Sequence, residues 1–446
     1  MRTHPTLGRT LVLGAVVLLA ASACGSGSSD TDSAGASTAD DGTKQVNVYG
    51  ADGNMNNGLG EDFADSPGAL AGMRGTVLLT DIGPEFRERL LGVDPSLTNF
   101  NTAAETYDAV VIASLAAQLA GSNEATVWGP YVNGVTFGGE ACTTFAECSE
   151  VVAGGGNPDY DGVNGPLAFT DPGEPSVASF AIESFTEDGT IDEDAREFVQ
   201  AGDIDDAATD EGPAPAAPGT TGAPLVIGSL TPQTGSLAYQ GPQQIAALTL
   251  AVTDVNAAGG VLGNPVQLNT GDSGDASTDT ATQTADRLLQ QGANVIVGAS
   301  SSGVTLTVID AVTQAGVAMI SPASTSDRLT DYADNGLFFR TVPPDTLQAR
   351  ALADLIGGDG NNTVGILALN DPYGTGLADN TAADLISDGL DEDSIRSLVY
   401  DPTAANFDSE VSQMVEFNPD AILVIGFEET SRIIEGLNAQ GIGPQR

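Results

Sequence analysis

Among 446 residues the chain carries one histidine, one lysine and three cysteines. The histidine is His4, inside an N-terminal leader, so the mature chain has none. That removes Ser-His-Asp and Cys-His catalysis and histidine metal sites in one step. Lys44 is the only lysine and lies at the edge of a flexible segment, which leaves a Ser/Lys hydrolase without a well-held base. No cofactor and no metal is expected. Positive charge is scarce throughout: 14 Lys and Arg stand against 61 Asp and Glu, for a formal net charge of −47. So acidic a balance argues against nucleic acid and against electrostatic docking on anionic lipid.

The leader has Arg2 and Arg9, an apolar run over 11–21, then Ala21-Ser22-Ala23-Cys24. A charged start, a short apolar core and small residues make a secretory signal rather than a membrane span. Cys24 after the small residues resembles the lipidation site of a bacterial lipoprotein, with Ala21 where leucine is usual. The expectation is a signal over 1–24 and a protein held by lipid on the outer face of the cytoplasmic membrane. Residues 25–43 are Ser, Gly, Asp and Ala with little apolar content, a flexible tether. Export implies an oxidising setting, so Cys142 and Cys148 are expected to form a disulfide closing a small loop.

The most informative stretch is 294–326, NVIVGASSSGVTLTVIDAVTQAGVAMISPASTS. An apolar run meets a Gly/Ser loop, a helical segment follows, and a second apolar run ends in a second hydroxyl-rich loop. This is a strand–loop–helix–strand unit of parallel α/β type. Ligands in such sheets bind beyond the carboxyl ends of the strands, where both loops lie. Hydroxyls and free N–H groups at helix starts suit a carboxylate or another small polar group.

Around this unit the chain reads as two blocks. Residues 44–205 are mixed, with strands at 46–49, 75–81, 161–169 and 179–185 and a strong helix at 103–120. The run DYDGVNG has the look of a calcium loop but lacks the distal acid, so it reads as a turn. Residues 206–224 are Ala, Pro, Gly and Thr, a linker. From 225 to 446 strands and helices alternate regularly, which implies a parallel sheet with helices on both faces. The fold class is therefore α/β, in two lobes.

The segments VIGSLTPQTGSLAYQG, LAVTDVNAAGGVLG, VIVGASSSGVTL, ISPAST, LNDPYGTGLA and YGADGN resemble the branched-chain amino-acid-binding class of type I periplasmic binding proteins. YDAVVIASLAAQLAGS and GVNGPLAF extend the likeness, which covers most of the chain outside leader and linkers. In that family the order would be 225–446 followed by 44–205. The chain thus resembles a circular permutant; a rearranged chain and two half-units pairing between chains fit the same order.

The resemblance implies two hinged lobes closing on an amino acid. It implies a small-molecule ligand, an ABC importer permease as partner, and action as a monomer. Sensing with the same fold is the alternative role. Ser302 and Thr325, helped by the Ala323 backbone, would hold the carboxylate, and Asp52 would pair with the amine. Tyr373 and Phe427 would face the ligand from the second lobe, and Tyr239 and Gln240 would reach it from the first. Each has a plainer use: Ser302 and Thr325 as helix caps, Asp52 as a turn residue before Gly53, the aromatics as packing.

Overall fold

A computed structural model describes residues 45–210 and 212–444. The expected signal, Cys24 with its expected lipidation, and the whole tether 25–43 fall outside the described residues. Within them, no helix is long and apolar enough to cross a membrane.

Two sheets form two lobes. The first lobe is built on five parallel strands in the spatial order Phe338–Arg340, Ala318–Ser321, Val295–Gly298, Val226–Leu230, Gln267–Asn269. The second is built on seven, in the order Ile395–Tyr400, Val364–Leu369, Ala421–Ile425, Asn47–Gly50, Arg74–Leu78, Val177–Ser184, Glu197–Gly202. The first five of these run parallel. Val177–Ser184 and Glu197–Gly202 are antiparallel additions at one edge. The sheet is therefore mixed, where alternation alone implied a parallel one.

Continuous apolar runs explain the central strands. Val364–Leu369 and Ala421–Ile425 are buried at every position, as strands covered by helices on both faces must be. The edge strand Glu197–Gly202 is mostly exposed. Helix Ala103–Ala120 is buried around nearly its whole circumference. It packs on helix Gly241–Ala257 and against the first-lobe core, so residues from the two sequence blocks share one interior. Gly121 closes it in the left-handed conformation, with φ of 67°.

The expected strand at 161–169 is a hairpin instead. Pro158–Gly162 turns back through 163–164 to the short strand Gly165–Pro166. Buried Asp108 on helix Ala103–Ala120 holds that turn. Its carboxylate accepts from the Tyr160 hydroxyl at 2.7 Å, from Val163 N at 3.0 Å and from Asn164 N at 2.9 Å. Cys142 and Cys148 are joined in a disulfide between strand Glu140–Cys142 and helix Phe145–Ala153.

The chain passes from one lobe to the other after Phe338–Arg340, where Arg340 is 1% exposed. Its Nε donates to Glu174 Oε2 at 2.8 Å and it also pairs with Glu174 through Nη2. Its Nη1 donates to Ser324 O and Ser326 O at 3.1 and 2.9 Å. A guanidinium whose donors are all met pins the second hydroxyl loop to the crossing; removing one partner of so buried a pair costs about 3–5 kcal/mol.

Candidate functional site between the lobes

The serine loop leaves strand Val295–Gly298 and enters helix Ser302–Gln314. Ser301 is the cap, its hydroxyl accepting from Val304 N at 3.3 Å. Ser302 is buried, and its Oγ accepts from Ser326 N at 3.1 Å, which leaves its own proton to donate. The second loop follows strand Ala318–Ser321. Ser321 Oγ donates to Ala299 O at 2.6 Å and accepts from Ser324 N at 2.8 Å and Ala323 N at 3.3 Å. Ser324 Oγ lies 2.8 Å from Thr305 Oγ1. The hydroxyls thus stitch two loops into one wall. Thr325 is buried beside them.

The second lobe presents Asp52 in a turn after strand Asn47–Gly50. Asn54 fixes the turn: its Oδ1 accepts from Ala51 N and its Nδ2 donates to Val424 O, both at 2.9 Å. Gly53 is required sterically, since a Cβ there would lie 2.5 Å from Gly426 O and 2.9 Å from the Phe427 ring. The Tyr373 hydroxyl donates to Asp52 Oδ1 at 2.8 Å. Tyr373 stacks on Phe427 with ring centroids 5.5 Å apart and planes 9° from parallel. The first lobe reaches across: the Tyr239 hydroxyl donates to Gly53 O at 3.3 Å, and Gln240 Nε2 donates to that hydroxyl at 3.2 Å. Ser326 Oγ also crosses, donating to Pro372 O at 3.0 Å.

Two residues that sequence reasoning missed join this group. Asp345, first residue of helix Asp345–Gly358, is fully buried, and neither carboxyl oxygen has a hydrogen-bond partner. The Thr325 hydroxyl faces it without reaching bonding geometry, and Asp52, Asp327 and Arg340 act on it electrostatically. Gln348, one turn on, faces Asp52, while its Nε2 donates to Thr76 Oγ1 at 3.1 Å. Burial pushes the carboxyl of Asp345 well above the usual range, and it pushes Asp52 up as well, against the opposing bond from Tyr373. The local signal for Asp345 was only an acid after Pro343-Pro344. Nothing local says that it meets Asp52, almost three hundred positions away in sequence.

A cavity of about 780 Å³ opens beside the group, lined by Ser236, Asp275 and Ser301 of one lobe and Asp371, Phe427 and Glu429 of the other. A second, of about 270 Å³, is lined by Tyr239, Phe427, Asn54 and Asn56. Of the residues singled out in the sequence, Phe427 lines both and Tyr239 the smaller. Ser302, Ala323, Thr325, Tyr373, Asp52 and Gln240 line neither. Tyr373, stacked on Phe427, connects the cavity wall to Asp52.

Two α/β lobes meeting at polar loops beyond their strand ends are the architecture of a binding protein. The family can be given directly: a periplasmic binding protein model matches residues 224–446, and the chain belongs to that family. Over 171 residues it is 31% identical to the Leu/Ile/Val-binding protein BraC3 of Rhizobium johnstonii, covering 38% of this chain and 46% of that protein. Over 172 residues it is 33% identical to an amino acid binding protein of Pseudomonas aeruginosa, with coverage of 38% and 46%. The matches thus span about half the length of these curated relatives. A solved branched-chain amino acid transporter substrate binding protein of Streptococcus pneumoniae, in complex with isoleucine, is similar at 24% identity and a TM-score of 0.42. That match covers 49% of this chain and 62% of that one.

Proposed function

We propose that the protein binds a small amine-bearing solute, an amino acid or a close relative, between its lobes and delivers it to an ABC importer. The observation that carries this reading is the contact of Asp52 and its Tyr373 partner from one lobe with the loops of the other through Tyr239 and Gly53. An amino acid needs donors for one end and an acid for the other. Ser302, whose proton is free to donate, and Thr325 supply the first; Asp52 supplies the second. Each charge-assisted hydrogen bond contributes about 1.5–3 kcal/mol. The remainder comes from shape and from water expelled as the lobes close. The relatives named for Leu, Ile and Val or for amino acids support the same class of solute. Residues 44–205 act as the C-terminal-type half and 225–446 as the N-terminal-type half of the family fold, with 206–224 joining them.

Calorimetry against a panel of amino acids, amides and short-chain acids tests this reading. The expected result is saturable binding of at least one amine-bearing member. Silence across the panel from a sample that melts cooperatively contradicts it.

A further inference from the structure

We infer that Glu105 is a pH-sensitive brace between the two lobes: uncharged, it keeps the segments that cross between them tied together, and ionised, it lets the lobes part. The brace acts on the motion of the lobes, whichever solute they hold.

Two segments that pass between the lobes meet beside this residue. Residues 79–82 lead from strand Arg74–Leu78 of the second lobe to helix Gly83–Val93, whose Phe86 and Leu90 join the first-lobe core. Residues 341–344 lead from strand Phe338–Arg340 of the first lobe to helix Asp345–Gly358, whose Leu352 joins the second-lobe core. Asn164, in the hairpin turn, ties the two: its Oδ1 accepts from the Thr80 hydroxyl at 2.8 Å and its Nδ2 donates to Thr341 O at 3.3 Å. Asp108 fixes Asn164 by accepting its backbone N–H. Glu105, one turn before Asp108 on the same helix, closes the set. Its carbonyl accepts from the Thr341 hydroxyl at 2.8 Å, and its carboxyl faces the Asn164 side chain. These ties are made with the lobes in contact through Tyr239 and Gly53 and through Ser326 and Pro372.

A charge on Glu105 is opposed twice, first by burial and then by Asp108, so its carboxyl titrates at about 8 rather than 4.5. Asp108 itself is held at about 6 and is ionised when Glu105 titrates. It is the charged group that faces Glu105 from its own helix. The turn and the two crossings bring Val163, Asn164, Thr80 and Thr341, none of which titrates. Arg340, next to Thr341, is matched by Glu174. Parting the lobes draws the crossings away from Asn164 and admits water to the Glu105 carboxylate. The parted form therefore holds the proton less tightly than the closed one. Ionised Glu105 also competes with Thr341 O for the Asn164 amide, whose bond to that carbonyl is the longer of its two ties. Closure thus takes up a proton: the brace is complete below about 4.5 and is lost as pH rises through about 8.

Pulsed electron paramagnetic resonance tests this without any added solute. Nitroxides are placed on Thr249→Cys, exposed on the first-lobe helix Gly241–Ala257, and Ser409→Cys, exposed on the second-lobe helix Asp408–Phe417, in a Cys24→Ser background. At pH 5.5 one short distance should dominate. A longer distance should grow toward pH 8.5, its ratio to the short one rising by up to about tenfold per pH unit, the limit for one linked proton. Glu105→Gln, which keeps the shape and cannot ionise, should hold the short distance across the range. Asn164→Ala, which cuts the tie between the crossings, should show the longer distance already at pH 5.5. A wild-type distribution that does not change with pH, or an equal change in Glu105→Gln, overturns the inference. So does an Asn164→Ala protein that matches the wild type at pH 5.5.

Discussion

At the scale of single residues, several acids are buried in this acidic chain, and their protonation couples stability to pH. Glu105, 4% exposed at the start of helix Ala103–Ala120, is pushed from 4.5 to about 8, first by burial and then by the nearby Asp108 charge. A carboxyl whose folded pKa lies above its unfolded one stabilises the fold while protonated. Its contribution is complete below about 4.5 and is lost as pH rises through about 8. Thermal melts from pH 5 to 8.5 should therefore show stability falling with pH, and Glu105→Gln should flatten the fall. A mutant with an unchanged slope would assign the trend to general charge repulsion. Residue types in loops were legible from sequence: the two hydroxyl loops and the Asp-Gly turn stand out locally. Asp345 was not legible, because its isolation is a property of burial among distant residues.

At the scale of elements, periodicity located helix Ala103–Ala120 with its expected bounds, and the strands expected at 46–49 and 179–185 lie at Asn47–Gly50 and Val177–Ser184. The misses have physical causes. Glu197–Gly202 has only the short apolar pair Phe198-Val199 to announce it and is a strand because it pairs with Val177–Ser184. The hairpin at 158–166 was read as one strand because its turn is held by Asp108, a tertiary partner that no local pattern reveals. Nearby, the Cys142–Cys148 disulfide closes a short loop beside the small three-stranded sheet. Replacing both cysteines with serine should lower stability by about 2 kcal/mol, the loop-closure value for so short a ring. Urea melts measure this, and ligand affinity should not change, since the ring belongs to none of the cleft loops.

At the scale of the whole molecule, the unusual feature is how the two sequence blocks interlock. Strand Asn47–Gly50 lies between Ala421–Ile425 and Arg74–Leu78, so the first block completes the sheet that the second begins. Both lobes draw on both blocks. We propose that the block order is a permutation of the family order. A chain re-ordered as 225–444 followed by 45–205 should then fold with the same secondary-structure content and the same ligand preference. A re-ordered chain that stays unfolded would contradict this.

The central claim is that Asp52 anchors the amine of a solute held between the lobes. Calorimetric titration of the tightest amine-bearing ligand and of its amine-free analogue, into wild type and Asp52→Asn, tests it most directly. Asp52→Asn should weaken the amine-bearing ligand by about 10- to 150-fold, the equivalent of ~1.5–3 kcal/mol, and leave the analogue nearly unchanged. Equal losses for both ligands, or none for either, would contradict the account.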